Sequence, residues 1–230
     1  SSQSLSGSWY VLAQALYRLG RAEEAEEFLT KAMEMRQGLL DESPQSIKAQ
    51  QDVAVTHWLR GDVFLRAGEN KQALTAYEEA HVLRLALFEN DQENPEMQED
   101  LAKSYYRLGT ALSALQRHED SQAAFSECMS LNEKVLAADP ENKGKQMQLA
   151  IAYARCGRVD EAAEIADSLA SSLYPNPGTM FRLASSYALC ALALKENRVE
   201  VVAEQRGSER VDEFLNSAME SLRKAIENGY

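Results

Sequence analysis

Apolar side chains recur along this chain at steps of three and four. Over residues 70–90, Ala73, Ala76, Tyr77, Ala80, Leu83 and Leu87 fall on one side of a 3.6-residue helix. No stretch of useful length alternates apolar and polar residues as a strand would. All five prolines fall in short junctions, and the stretches between them are rich in Ala, Leu, Glu, Gln and Arg, which favours helix. Ser43-Pro44, Asn94-Pro95, Asp139-Pro140 and Asn176-Pro177 each pair a capping residue with a proline suited to the first helical position. Helices are therefore predicted to begin near 44, 95, 140 and 177, with Pro175 in the last junction. Each stretch breaks once, near Gly20, Gly68, Gln116 or Gly157. The breaks divide the chain into A helices over 8–19, 44–67, 95–115, 140–156 and 177–194, and B helices over 22–41, 70–90, 118–138, 159–173 and 209–228. Lys195 to Ser208 is charged, contains Gly207, and reads as a surface loop on which Val199, Val201 and Val202 could pack.

The breaks keep a register. Arg18-Leu19-Gly20 leads to Ala25, Arg66-Ala67-Gly68 to Ala73, and Arg155-Cys156-Gly157 to Ala162, with Gln116 and Ser121 in the matching places between. From 20 to 68, 116 and 157 the steps are 48, 48 and 41. A period of this size means stacked supersecondary units, whose chemistry is usually binding along an extended surface. The expectation is an all-α solenoid of about five antiparallel helix pairs over residues 8–230. Residues 1–7, rich in serine, read as the end of a linker in an excised fragment.

Charge narrows the partners. The 230 residues carry 36 acidic and 24 basic side chains, a formal net charge of -12. Nucleic acid and anionic membrane surfaces both call for a basic footprint, so neither is expected. No apolar run approaches the ~18 residues of a membrane span, and no charged-then-apolar signal segment opens the chain. Cys128, Cys156 and Cys190 lack close-pair spacing. They read as free thiols packed between helices, in a reducing, cytoplasmic compartment.

The repeat resembles the tetratricopeptide repeat, a helix-turn-helix of ~34 residues marked by a Trp/Leu/Gly/Tyr pattern, then alanine, an aromatic and alanine. The second unit carries Gly61, Phe64, Gly68, Ala73, Tyr77 and Ala80. The third carries Tyr105, Leu108, Gly109, Phe125 and Cys128, the first Trp9, Leu12, Gly20, Ala25 and Ala32. The fourth has Leu149, Tyr153, Gly157 and Ala162, and the fifth only Leu183, Ala184 and Tyr187. The resemblance implies a right-handed solenoid that binds a protein or peptide on its concave face. The longer pitch here exceeds the family's by about four helical turns, so the helices themselves must be lengthened.

The segments LNEKVLAADPENKGKQMQLA and AMESLRKAIENGY also resemble repeat regions that follow the catalytic domain of certain bacterial serine/threonine protein kinases. That likeness implies an interaction region of a larger signalling protein. The chain itself has no Gly-rich phosphate loop, no H-R-D and no D-F-G, and is expected to be non-catalytic and without cofactors.

Few residues suggest chemistry. His57, His81 and His118 lie on different predicted elements without metal-ligand spacing. Glu23-Glu24 and Glu78-Glu79 read as solvated helix faces. Arg60-Gly61-Asp62 spells an adhesion tripeptide but falls inside a helix. A row of large residues stands out: Tyr10, Trp58, Tyr106, Met147 and Phe181, at steps of 48, 48, 41 and 34. In the resembled family this side of helix A lines the groove, where large aromatics supply binding hot spots. In lengthened helices the same row could instead pack against the neighbouring unit. A second row, Arg18, Arg66 and Arg155, could anchor an acidic peptide, or simply complement the dipoles at the ends of the A helices. The charge clamp of the family's chaperone-binding members is missing, since its places hold Tyr10, Gln14, Trp58 and Asp62. The alternative to a peptide-binding role is self-association, with a homodimer as the product.

Overall fold

The computed structural model describes residues 2–172, 177–195 and 204–228. Among the described residues there are ten helices and no strand. They are α1 (Ser2–Arg18), α2 (Ala22–Glu42), α3 (Ile47–Arg66), α4 (Asn70–Asn90), α5 (Pro95–Ala114), α6 (His118–Ala138), α7 (Lys143–Arg155), α8 (Val159–Ser172), α9 (Pro177–Lys195) and α10 (Glu204–Glu227). The all-helical class and the pairing of successive helices match the expectation from the sequence.

The four breaks share one mechanism. Gly20, Gly68 and Gly157 take φ of 77°, 80° and 78°, and Gln116 takes 60°. This left-handed residue lets the next amide turn back onto the helix it has just left. Arg21 N donates to Leu16 O at 3.0 Å, and Glu69 N to Phe64 O, Arg117 N to Leu112 O and Arg158 N to Tyr153 O at 2.9 Å. Three residues suffice at each break to start the returning helix.

The junctions differ from the expectation at two of the prolines. Helix α5 does start at Pro95, with Asn94 accepting from the Glu96 and Met97 amides. Helices α3 and α7 begin later, capped by Ser46 and Asn142, so Pro44 and Pro140 stay in the linkers. The register explains why. The caps at 46, 94 and 142 keep the pitch of the repeat. So do Gln50, Gln98 and Gln146, whose side-chain amides reach back to the carbonyls of Pro44, Gln92 and Pro140 at 2.7, 2.6 and 2.8 Å. The Asn176-Pro177 cap and Pro175 involve residues outside those described.

Both ends of the chain hold more helix than expected. Helix α1 starts at Ser2 rather than near 8, so the serine-rich start is helical. The Ser6 and Ser8 hydroxyls donate to the Gln3 and Ser4 carbonyls, both at 3.0 Å, which lets serine sit within a helix. Helix α10 starts at Glu204, and the last residues of the expected loop are helical; residues 196–203, with the three valines, lie outside the described residues.

The lengthening falls where expected, in the helices. Helices α2, α4 and α6 each have 21 residues, and α3 and α5 have 20. The shorter last step between breaks is taken up in α7, which has 13 residues.

The chain divides into two compact units, Ser1–Ala124 and Phe125–Tyr230. In the first, α1 pairs with α2 and α3 with α4, while α2–α3 and α4–α5 contacts join the pairs. Its core holds Ala13, Leu16, Ala25, Leu29, Leu59 and Val63, then Ala73, Leu74, Tyr77, Leu108, Ala111 and Leu112. Helices approach closely at Gly61, where an added Cβ would stand 2.4 Å from the Tyr77 ring. In the second unit α7 pairs with α8 and α9 with α10, and α9 packs on α7 and α8. Its core includes Met147, Leu169, Leu183, Tyr187 and Ala218, with Val159, Ala162 and Cys190 in a neighbouring cluster.

Candidate functional site

In the first unit, the A helices α1, α3 and α5 repeat one pattern at the pitch of the breaks. Tyr10, Trp58 and Tyr106 form its first line; Gln14, Asp62 and Thr110 follow one helical turn later, then Arg18, Arg66 and Ala114. Spacings of four keep these residues on one face of each helix. Tyr10, Trp58 and Tyr106 are all half-buried. Side chains bridge the helices: Arg66 of α3 donates to the Tyr17 carbonyl of α1 at 2.7 Å, and Arg107 of α5 binds Asp62 of α3.

Two buried arginines of the B helices lie beneath the aromatic line. Arg36 of α2 is 6% exposed and stacks 4.7 Å from the Tyr10 ring. Arg84 of α4 is 3% exposed and stacks 4.4 Å from Trp58. Each also reaches the next A helix. Arg36 Nη1 donates to Asp52 O at 2.8 Å and to Thr56 Oγ1 at 2.6 Å, and Arg84 Nη1 to Asp100 O at 3.3 Å. The guanidinium is planar, so it can stack on a ring with its face and donate from its edge. Burial works against the charge on both arginines. The same position on α6 is Asn132, which bonds back to Cys128 O at 2.8 Å.

Sequence reasoning missed this arginine pair. The signal was present: Arg36, Arg84 and Asn132 keep the pitch of the repeat, as do Asp52 and Asp100, and Thr56 and Ser104. The arginines are set within helix B rather than beside the breaks, and a charged residue there reads as solvated surface.

Asp62 is the acidic centre of this face. Its carboxylate meets Arg107 Nε at 3.1 Å and accepts from Tyr77 Oη at 2.6 Å. Burial raises its pKa above the usual carboxylate value, against the pull of Arg107 and the Tyr77 hydroxyl. Arg107 also lies 5.7 Å from the Trp58 ring and 5.9 Å from that of Tyr106.

The rest of the two rows divides. Arg18 and Arg66 are exposed in the last turns of α1 and α3, and Arg66 stacks 5.3 Å from Tyr17. In the second unit Met147 is only 2% exposed and belongs to the core, so it is not part of an exposed row. There α8 and α9 close over that position with Ala166, Leu169 and Leu183. Phe181 is 42% exposed, and Arg155 stacks 5.2 Å from Phe125.

Other chemistry-bearing side chains serve packing. His57 Nδ1 lies 2.8 Å from Glu79, and His81 Nδ1 lies 2.8 Å from Ser104 Oγ. Burial lowers the pKa of both histidines. Cys128 and Cys190 are buried thiols pushed up to about 12 by that burial. Among the described residues no group of His, Cys, Asp and Glu could hold a metal ion, and no helix is long and apolar enough to cross a membrane.

Comparison with known proteins agrees with this architecture. No curated protein matches the chain. Solved structures similar in fold include BtubC (BKLC) from P. vanneervenii, at 17% identity and a TM-score of 0.61, covering 100% of this chain and 83% of that one. Another is the set of nearly identical TPR-like repeats of a Podosopora anserina protein assigned to the kinesin light chains, at 19% identity and a TM-score of 0.59, covering 97% of both chains. A third is aspartyl phosphate phosphatase F from Bacillus subtilis, at 14% identity and a TM-score of 0.57, covering 99% of this chain and 58% of that one. Three family models of the tetratricopeptide repeat match residues 5–81, 102–135 and 146–168, together more than half of the 230 residues. The chain belongs to the tetratricopeptide-repeat family.

Proposed function

We propose that this chain is a non-catalytic interaction module that binds a peptide segment of a partner protein across α1, α3 and α5. The observation that carries this reading is the line of Tyr10, Trp58 and Tyr106, three large rings left half-buried at one register of the repeat. Aromatics of this kind are the residues that dominate binding energy at interfaces. The test is to pan a displayed library of random 12-residue peptides against the whole chain. Peptides that bind here lose about 30-fold in affinity with Tyr106→Ala, the equivalent of about 2 kcal/mol. Circular dichroism would confirm that the variant stays folded. Recovered peptides indifferent to Tyr10→Ala, Trp58→Ala and Tyr106→Ala would refute the reading.

The kinase-like texture of LNEKVLAADPENKGKQMQLA and AMESLRKAIENGY supports a place within a larger bacterial signalling protein, such as a serine/threonine kinase. The unpaired cysteines support a reducing, cytoplasmic setting. The reading of the coding sequence upstream of Ser1 tests this: a kinase domain is expected there.

Self-association is the second reading. Leu215, Met219 and Ile226 are exposed along one side of α10, facing away from its contact with α9. Sedimentation across a range of concentrations would show a dimer that Met219→Lys dissociates. A monomer at all concentrations would remove this reading.

A further inference from the structure

We infer that the peptide received by the α1–α3–α5 face presents an acidic side chain, seated against Trp58. This rests on the peptide-binding reading above and specifies its ligand. The chain as a whole is strongly acidic, at -12. This face gathers arginine: Arg107 and Arg84 act on Asp62, Arg36 stacks on Tyr10 and Arg66 on Tyr17, with Asp52 and Asp100 near the buried pair and Glu99 at the edge matched by Lys103 at 2.9 Å.

The arginines are not equally compensated. Asp62 neutralises Arg107. Arg36 and Arg84 hydrogen-bond only to neutral acceptors, the Asp52 and Asp100 carbonyls and the Thr56 hydroxyl; the Asp52 carboxylate acts on Arg36, and those of Asp100 and Asp62 on Arg84, without a hydrogen bond. Around Trp58 two buried donors have no acceptor at all, Arg84 Nη2 and Trp58 Nε1. The indole and the guanidinium are stacked at 4.4 Å, so the two orphan N–H groups belong to one small assembly. A carboxylate has about four lone-pair sites and a negative charge, enough to accept from both and to offset Arg84. A side-chain amide would supply lone pairs without the charge, and an ammonium neither. The donors are covered in the free protein, so an acidic group reaches them as the half-buried indole swings outward. Binding therefore moves Trp58 into new surroundings.

The test uses the peptides recovered by panning the random 12-residue library on the whole chain. Aspartate or glutamate should dominate one position of the recovered sequences. A synthetic peptide of that sequence should lose about tenfold in affinity when its acidic residue becomes the amide, and should bind more weakly as salt is raised. Trp58→Phe keeps a ring but removes Nε1–H. It should weaken the acidic peptide several-fold and the amide peptide by less, because an ionised acceptor makes the stronger bond. In a Trp9→Phe background, where Trp58 is the remaining tryptophan, the acidic peptide should shift the emission maximum. Recovered peptides without an acidic position, or an amide form that binds as well, would overturn this inference and leave the binding face standing. Peptides indifferent to Tyr106→Ala, or no recovered peptide, would overturn the face and this inference with it.

Discussion

The close approach at Gly61 gives a sharp test of the repeat register. Alanine at 61 would place its Cβ at 2.4 and 2.6 Å from Tyr77 Cε1 and Cδ1, and 2.9 Å from Cζ. Carbon atoms prefer ~3.5–4.0 Å, so the overlap exceeds about 1 Å. Tyr77 cannot retreat easily. It is 1% exposed, and its hydroxyl is tied to Asp62, which is tied in turn to Arg107. Replacing glycine inside a helix gains about 0.5–1 kcal/mol. Overpacking a filled core costs about 1–3 kcal/mol, and a tethered ring favours the upper half. Gly61→Ala should therefore destabilise by about 1–2 kcal/mol, read as a lower urea midpoint at unchanged slope. The first repeat shows the remedy, because the same two positions one repeat earlier hold Ala13 and Leu29 within one cluster. Gly61→Ala combined with Tyr77→Leu should be less destabilising than the sum of the singles by about 1 kcal/mol or more. A midpoint unchanged or raised by Gly61→Ala, or a strictly additive pair, would refute the reasoning.

Gln116 holds a left-handed φ of 60° where the other breaks use glycine, so Gln116→Gly should stabilise by about 0.5–1 kcal/mol in urea unfolding. Arg36→Lys would lose planar stacking on Tyr10 and the paired bonds to Asp52 O and Thr56 Oγ1, and should cost about 1.5–3 kcal/mol by the same assay. His57 and His81 have pKa values lowered by burial, so the unfolded chain takes up their protons first. Their contribution is complete above the ordinary histidine pKa of about 6.5 and is lost as pH falls through that range. Urea midpoints should fall between pH 7.5 and 5.5, and less steeply in His57→Gln/His81→Gln.

The helices and their breaks were legible because local chemistry decides them. Glycine or glutamine in the left-handed region, and apolar steps of three and four, read directly from the chain. Where helices begin was less legible. Pro44 and Pro140 look like first-turn prolines, but the caps are Ser46 and Asn142, fixed by glutamine bonds that span six residues. The aromatic register at Tyr10, Trp58 and Tyr106 survives as a half-buried line, whereas Met147 goes into the core, because α8 and α9 close over it and a register position does not reveal what packs on it. Arg36 and Arg84 escaped notice for a different reason. A guanidinium becomes a core element only once a ring and a carbonyl from other helices close around it.

The shortening of α7 has a consequence for how such chains can change length. From α5 to α7 the A helix drops from 20 to 13 residues, a loss of seven. Seven residues rotate through about 700°, within ~20° of two whole revolutions. Removing them shifts the end of the helix along its axis yet leaves the surviving side chains nearly in phase with their old neighbours. An in-frame loss of five would swing everything beyond it by about 140° and turn the core outward. Length in this architecture is therefore quantised: increments close to whole turns, such as roughly 7, 11 or 18 residues, can be cut or spliced with modest repacking at the ends, and increments far from whole turns demand that an entire face be rewritten.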